Sequence, residues 1–173
     1  IDFMCTGTFM SAVNIIDKLK PSYHKIASAQ AALFPQYIEA IMKTGRPVIC
    51  STGIAEINDL DRIQYIFNNN NKGEKLELLH CRSQYPCPET DSDLDNINFL
   101  RRRYGRRVGY SDHTLGSKTA VVASMMGSNI FEKHFKLDDT IKSPDSESSV
   151  NLKEFKGYID DLNWVAEQVQ SRT

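Results

Sequence analysis

Apolar positions fall into two alternating patterns along this chain. Short strand-like runs occupy residues 1–6, 24–28, 47–52, 76–81, 107–112 and 129–135. Between them lie stretches in which apolar residues recur every three or four positions, the helical period. These cover residues 13–19, stopping at Pro21; 33–44, with Leu33, Tyr37, Ile38, Ile41 and Met42, ending at Gly45; 57–67; 94–104, ending at Gly105; 117–126, ending at Gly127; and 151–170. The last places Leu152, Phe155, Ile159, Leu162, Val165 and Val169 on one face. Glycine after a helix is a common stop. Residues 68–73, mostly asparagine, read as a surface connection, and the acidic stretch 89–95 as a loop and helix start.

Strict alternation of strand and helix predicts a parallel sheet covered by helices. A (β/α)8 TIM barrel takes ~200 residues or more. A chain of 173 residues holds six such units, so the expected fold class is α/β, the last six units of that barrel. An open doubly wound sheet is the alternative. The start at Ile1, already inside an apolar run, reads as a piece cut from something longer.

Two histidines occupy equivalent places in this pattern. His113 follows the fifth run and His134 lies in the sixth, with one helix between them. A right-handed crossover makes such strands parallel and brings both imidazoles out at one end of the sheet. One histidine at a strand end is commonly a hydrogen-bonded structural residue. Two that converge could hold a divalent metal and leave positions open for substrate oxygen.

Composition narrows the partners. The net charge is −1, which predicts no general attraction to nucleic acid or an anionic membrane. No apolar run approaches the length of a membrane span. The four cysteines, Cys5, Cys50, Cys81 and Cys87, form no CxxC pair and read as buried free thiols in a reducing cytoplasm. The basic cluster around Arg101, Arg102 and Arg103 reads as a solvated helix end.

In a barrel the working face is the C-terminal end of the strands. Those ends carry Thr6, Ser28, Ser51, Thr52, Ser83, Ser111 and the two histidines, with Lys25 inside the second strand. Hydroxyls, backbone amides and one lysine suit a phosphate-bearing substrate, although any single serine there can equally be a turn residue or cap.

With those residues in view the chain resembles the N-acetylneuraminate (sialic acid) synthase family. The resemblance runs in order through Lys25-Ile26-Ala27-Ser28, Pro47 to Gly53, Leu79-His80-Cys81 through Tyr85-Pro86, Gly109 to Thr114, Glu132-Lys133-His134-Phe135 and Ser143-Pro144-Asp145. It implies a barrel enzyme that condenses phosphoenolpyruvate with an N-acetylated hexosamine such as N-acetylmannosamine, releasing phosphate. It implies a divalent metal, Mn2+ or Mg2+, on His113 and His134. Thr6, Lys25, Ser28, Ser51, Ser83 and Ser111 would bind phosphoenolpyruvate, and Tyr85 and Asp145 would act near the amino sugar as the catalytic pair. It further implies a cytoplasmic homodimer, two earlier barrel strands and a C-terminal antifreeze-like domain beyond this stretch.

Some positions depart from the family pattern. Gln30 stands where an acid is usual, Arg82 where threonine is, Gln84 where asparagine is common and Ser143 where glycine is. Gln30 and Arg82 bear on the sugar and on turnover; the histidines are untouched. A metal-dependent aldolase-type barrel acting on sugar phosphates, or a catalytically degenerate relative, are the alternative readings.

Overall fold

A computed structural model of the chain describes residues 1–170. The chain divides into two compact units, Ile1–Leu79 and His80–Thr173; the last three residues of the expected domain lie outside the described residues.

The first unit is built from β1 (Met4–Thr6), α1 (Met10–Lys18), β2 (Tyr23–Ile26), α2 (Ser28–Leu33), α3 (Pro35–Thr44), β3 (Val48–Ser51), α4 (Ile57–Asn69) and the start of β4 (Leu76–Cys81). Its strands are parallel, with Cys5 opposite His24, His24 opposite Val48, and Val48 opposite Leu76. The core lies between strands and helices. Ile26, Val48 and Cys50 are fully buried, as are Ile38 and Ile41 of α3, and Leu60, Ile63 and Phe67 of α4 face inward. Each such side chain contributes about 1.5–3 kcal/mol when buried.

The expected helix over 33–44 is α3, which begins at Pro35, and a further short helix, α2, precedes it. Phe34 has φ −128° and ψ 70°, and Pro35 occupies the first turn of α3. Proline bars the preceding residue from helical geometry and starts a helix well, because the N–H it lacks is unsatisfied there in any case. Ser28 accordingly opens α2 instead of ending β2. Arg46 ties α1 to the approach to β3: its Nε donates to Asp17 Oδ1, and its terminal nitrogens to the Asp17 and Pro21 carbonyls at 3.2 and 3.4 Å.

The second unit holds the end of β4, α5 (Asp95–Tyr104), β5 (Val108–Asp112), α6 (Lys118–Met125), β6 (Phe131–Lys133) and α7 (Leu152–Gln170). Strands β5 and β6 are parallel, pairing Tyr110 with Phe131, Ser111 with Glu132 and Asp112 with Lys133. Helices α3 and α5 end at Gly45 (φ 75°) and Gly105 (φ 61°), where a side chain would be strained. On α6 the buried face is small, Thr119, Ala120 and Ala123, and it packs on α7.

The expected apolar face of α7 is only partly covered. Tyr158 and Val165 are buried, whereas Leu152, Ile159 and Val169 are exposed, as is Trp164. One narrow stripe of the helix makes the contact, and Phe155 adds an edge-on ring contact to Phe135 at 5.5 Å. All four cysteines are free; Cys5 is half-buried and the other three are buried. Among the described residues no helix is long and apolar enough to cross a membrane.

Candidate functional site

In the first unit the strand register gathers three of the expected residues. Thr6 ends β1 opposite Lys25 on β2. The Lys25 side chain is buried, and its Nζ donates to Ser51 Oγ at the end of β3, 2.8 Å away, and to the Ile26 carbonyl at 3.3 Å. A buried ammonium needs acceptors, and a terminal serine supplies one while leaving the charge near the strand ends. Thr52 instead gives its hydroxyl to the Leu79 carbonyl at 3.1 Å. Gln30, the residue in place of an acid, is buried and internally bound. Its Nε2 donates to the Gly7 carbonyl, its Oε1 accepts from Ala27 N at 2.9 Å, and Tyr37 OH donates to the same Gly7 carbonyl at 2.7 Å. A carboxylate could not make the first of these bonds.

In the second unit the two histidines converge as the strand–helix–strand pattern predicts. Their ring centroids are 5.3 Å apart. Tyr85 lies over His113 at 4.1 Å and edge-on to His134 at 5.6 Å. Asp145, exposed in the segment between β6 and α7, brings Oδ2 to 3.7 Å from His134 Nδ1. The chain that carries Tyr85 is pinned to His113 twice. Cys87 N donates to the His113 carbonyl at 2.9 Å, and His113 Nδ1 meets the Arg82 carbonyl at 2.6 Å. Val150 N donates to the His134 carbonyl at 2.9 Å, fixing the other histidine's backbone.

These contacts set the chemistry of the pair. A carbonyl oxygen only accepts, so His113 Nδ1 carries the proton and Nε2 keeps its lone pair. Burial, reinforced by His134, lowers the His113 pKa below the ordinary histidine value against the opposing Arg82 carbonyl, which favours the neutral ligand form. Burial raises the Tyr85 phenol, with Cys81, Asp145 and Glu132 acting in the same direction, so it remains a hydrogen-bond donor. Two converging imidazoles, one with its tautomer fixed, fit a divalent ion. Among the described residues no group of three or more His, Cys, Asp or Glu side chains is placed to hold one. The Arg82 side chain turns outward to Asp93 at 3.5 Å; its backbone, rather than its charge, serves the histidine.

Ser111 is buried and donates to Glu132 Oε1 at 2.7 Å. Ser83 is exposed in the segment between Arg82 and Tyr85. The sequence reading gave no role to Glu132, Asp112 or Lys133. Charged residues inside strand ends of otherwise apolar character require partners, and that signal was present in Ser111-Asp112 and Glu132-Lys133.

The sequence model of the NeuB family matches residues 1–172. The chain is 37% identical over 148 residues to a pseudaminic acid synthase of Campylobacter jejuni, covering 86% of this chain and 43% of that protein. It is 36% identical to an uncharacterized protein of Methanocaldococcus jannaschii, covering 99% of this chain and 50% of that one. The crystal structure of a Leptospira borgpetersenii N-acetylneuraminic acid (sialic acid) synthetase superposes with a TM-score of 0.90 at 30% identity, over 98% of this chain and 58% of that one. The chain thus spans about half the length of the curated relatives it matches, and its fold class is the expected one, six β/α units of a TIM-type barrel. On this breadth of match the chain belongs to the NeuB family, the family of sialic acid and related nonulosonic acid synthases.

Proposed function

We propose that the protein containing this chain condenses phosphoenolpyruvate with an N-acetylated hexosamine, N-acetylmannosamine or a close relative, to a nonulosonic acid with release of phosphate. The observation that carries the reading is the cluster of His113, His134, Tyr85 and Asp145, with the His113 tautomer set by the Arg82 carbonyl. His113 and His134 would hold a divalent ion, Mn2+ or Mg2+, which supplies Lewis acidity toward a carbonyl oxygen when bound. Imidazole nitrogen suits a transition ion better than Mg2+, which favours Mn2+ of the two.

The protein groups have separate tasks. Lys25, with Thr6, Ser28, Ser51, Ser83 and Ser111, holds phosphoenolpyruvate. The lysine contributes charge-assisted hydrogen bonds to phosphate or carboxylate. Tyr85, kept protonated, donates to the sugar oxygen that gains negative charge, and Asp145 orients sugar hydroxyls. The enol carbon of phosphoenolpyruvate forms the new bond to the aldehyde carbon of the open-chain sugar, whose carbonyl pair moves to oxygen and takes a proton. Water adds at the phosphate-bearing carbon, and the C–O bond to phosphate then breaks to leave the ketone. Positioning and electrostatics supply the acceleration.

The test is phosphate release by the full-length protein with phosphoenolpyruvate, Mn2+ and a panel of N-acetylated hexosamines. Release that requires both substrates is expected. Release without sugar, or with none of the sugars, contradicts the proposal.

A further inference from the structure

The residues immediately before the two histidines form a buried ion pair. Asp112 and Lys133 face each other in register across β5 and β6. Their side chains are 0% and 1% exposed, with Lys133 Nζ 3.0 Å from Asp112 Oδ2. Such a pair is costly to desolvate and is maintained only with full hydrogen bonding, and here five further bonds go to the segment from Thr114 to Thr119. Asp112 Oδ1 accepts from Thr114 N and Thr114 Oγ1, both at 2.8 Å, and from Thr119 Oγ1 at 3.4 Å. Lys133 Nζ donates to the Thr114 carbonyl and, at 3.4 Å, to the Gly116 carbonyl. The ammonium also lies 5.2 Å from the Tyr158 ring centroid on α7.

We infer that the Asp112–Lys133 pair is a positioning device that locks the turn after β5 to the end of β6 and so sets the separation of the His113 and His134 rings. The geometry supports this in three ways. Each partner is covalently next to one histidine. The lysine of one strand bonds the carbonyl just beyond the histidine of the other. The aspartate closes the same turn from its inner side, so His113 sits between two anchored residues. Neither side chain has solvent access, so neither is placed to touch a substrate. Both are positioning residues, and the inference bears on metal binding only if the proposed function holds.

The test compares the full-length protein with Lys133→Met and with the double variant Asp112→Asn/Lys133→Met. The single variant strands a buried carboxylate and can lose stability for that reason alone; the double variant removes both charges while the introduced side-chain amide keeps an acceptor for Thr114. Two readouts apply. The first, on metal-free protein, is the proton NOE between the His113 and Tyr85 rings and between the His113 and His134 rings. The second is Mn2+ affinity by electron paramagnetic resonance. The inference expects the double variant to melt near the parent temperature, lose the inter-histidine NOE and bind Mn2+ about 10-fold or more weakly. A double variant that keeps the inter-histidine NOE overturns it, whatever happens with Mn2+. Parent protein that binds no Mn2+ sinks the metal reading, while the NOE still decides the clamp. Loss of the NOE only in step with melting shows a merely structural role and also overturns it.

Discussion

The two units hold their chemistry-bearing side chains in different ways. In the first, the polar groups at the strand ends are bound one to another or to backbone: Lys25 to Ser51, Gln30 to Gly7, Thr52 to Leu79. In the second, aromatic rings face each other, and the bonds that fix them run through backbone carbonyls and neighbouring charged residues. The first arrangement suits a site that presents charge and hydroxyls to an anion. The second suits one that presents nitrogen lone pairs, because a ring held by its Nδ1 or by its backbone still has Nε2 to offer.

That contrast can be broken most severely in the second unit. His113→Ala or His134→Ala in the full-length protein should lower sugar-dependent phosphate release by about 10^3-fold or more, the scale of several kcal/mol of lost carbonyl activation. Activity within ten-fold of the parent would remove the pair from the chemistry. Next in size is Lys25→Met. Loss of a charge-assisted contact of about 1.5–3 kcal/mol predicts a roughly 10- to 100-fold rise in KM for phosphoenolpyruvate, with the KM for the sugar little changed. A change confined to the sugar would move Lys25 to the other substrate.

Gln30→Glu sharpens the first-unit side of the contrast. A carboxylate facing the Gly7 carbonyl loses the donated bond and sets a buried oxygen against that carbonyl, which keeps only Tyr37 as its donor, so the variant should lose about 1–3 kcal/mol in denaturant unfolding. Unchanged stability would show that the Gln30 amide is not a structural tie. One contribution to the pH dependence comes from His24, whose pKa burial lowers below the ordinary 6.5 against the opposing pull of Asp17; burial moves His80 and His113 the same way. The unfolded chain therefore takes the proton first. Stability is full above the unfolded pKa and falls as the pH drops below it toward the folded value, by at most about 1.4 kcal/mol per pH unit for one proton. Unfolding midpoints at pH 7.5 and 5.5 should differ accordingly, and His24→Gln should reduce the difference; an unchanged slope in that variant would leave it to His80 and His113.

The smallest effect is expected at Arg82. Its exposed pair with Asp93 is worth little, and the carbonyl that holds His113 survives any substitution. Arg82→Ala should change stability by less than about 0.5 kcal/mol and phosphate release by less than about three-fold. A large loss would mean that the guanidinium itself contacts substrate.

All six strands were legible from apolar runs, and six of the seven helices from their period, with boundaries within a few residues. The convergence of His113 and His134 was also legible, because a strand, one short helix and a second strand leave a single handed connection. The start of α3 was signalled by Pro35, whereas α2 was not legible, because its six residues are too few to show a helical period. The half-exposed α7 was not legible, since a helical period shows which residues could be covered without showing how wide the covering surface is. The Asp112–Lys133 and Ser111–Glu132 contacts required the register of β5 against β6, which a sequence of short parallel strands does not specify. The backbone role of Arg82 was not legible for a related reason: a side chain at a strand end draws attention to its charge, whereas its backbone carbonyl makes the contact with His113.

The most direct test of the account is a Mn2+ titration of the full-length protein and of its His113→Ala and His134→Ala variants, followed by electron paramagnetic resonance. One tightly bound ion per chain in the parent, lost in both variants, is the predicted result. Equal binding in all three proteins, or none in the parent, would contradict the assignment of the two histidines as the centre of the site.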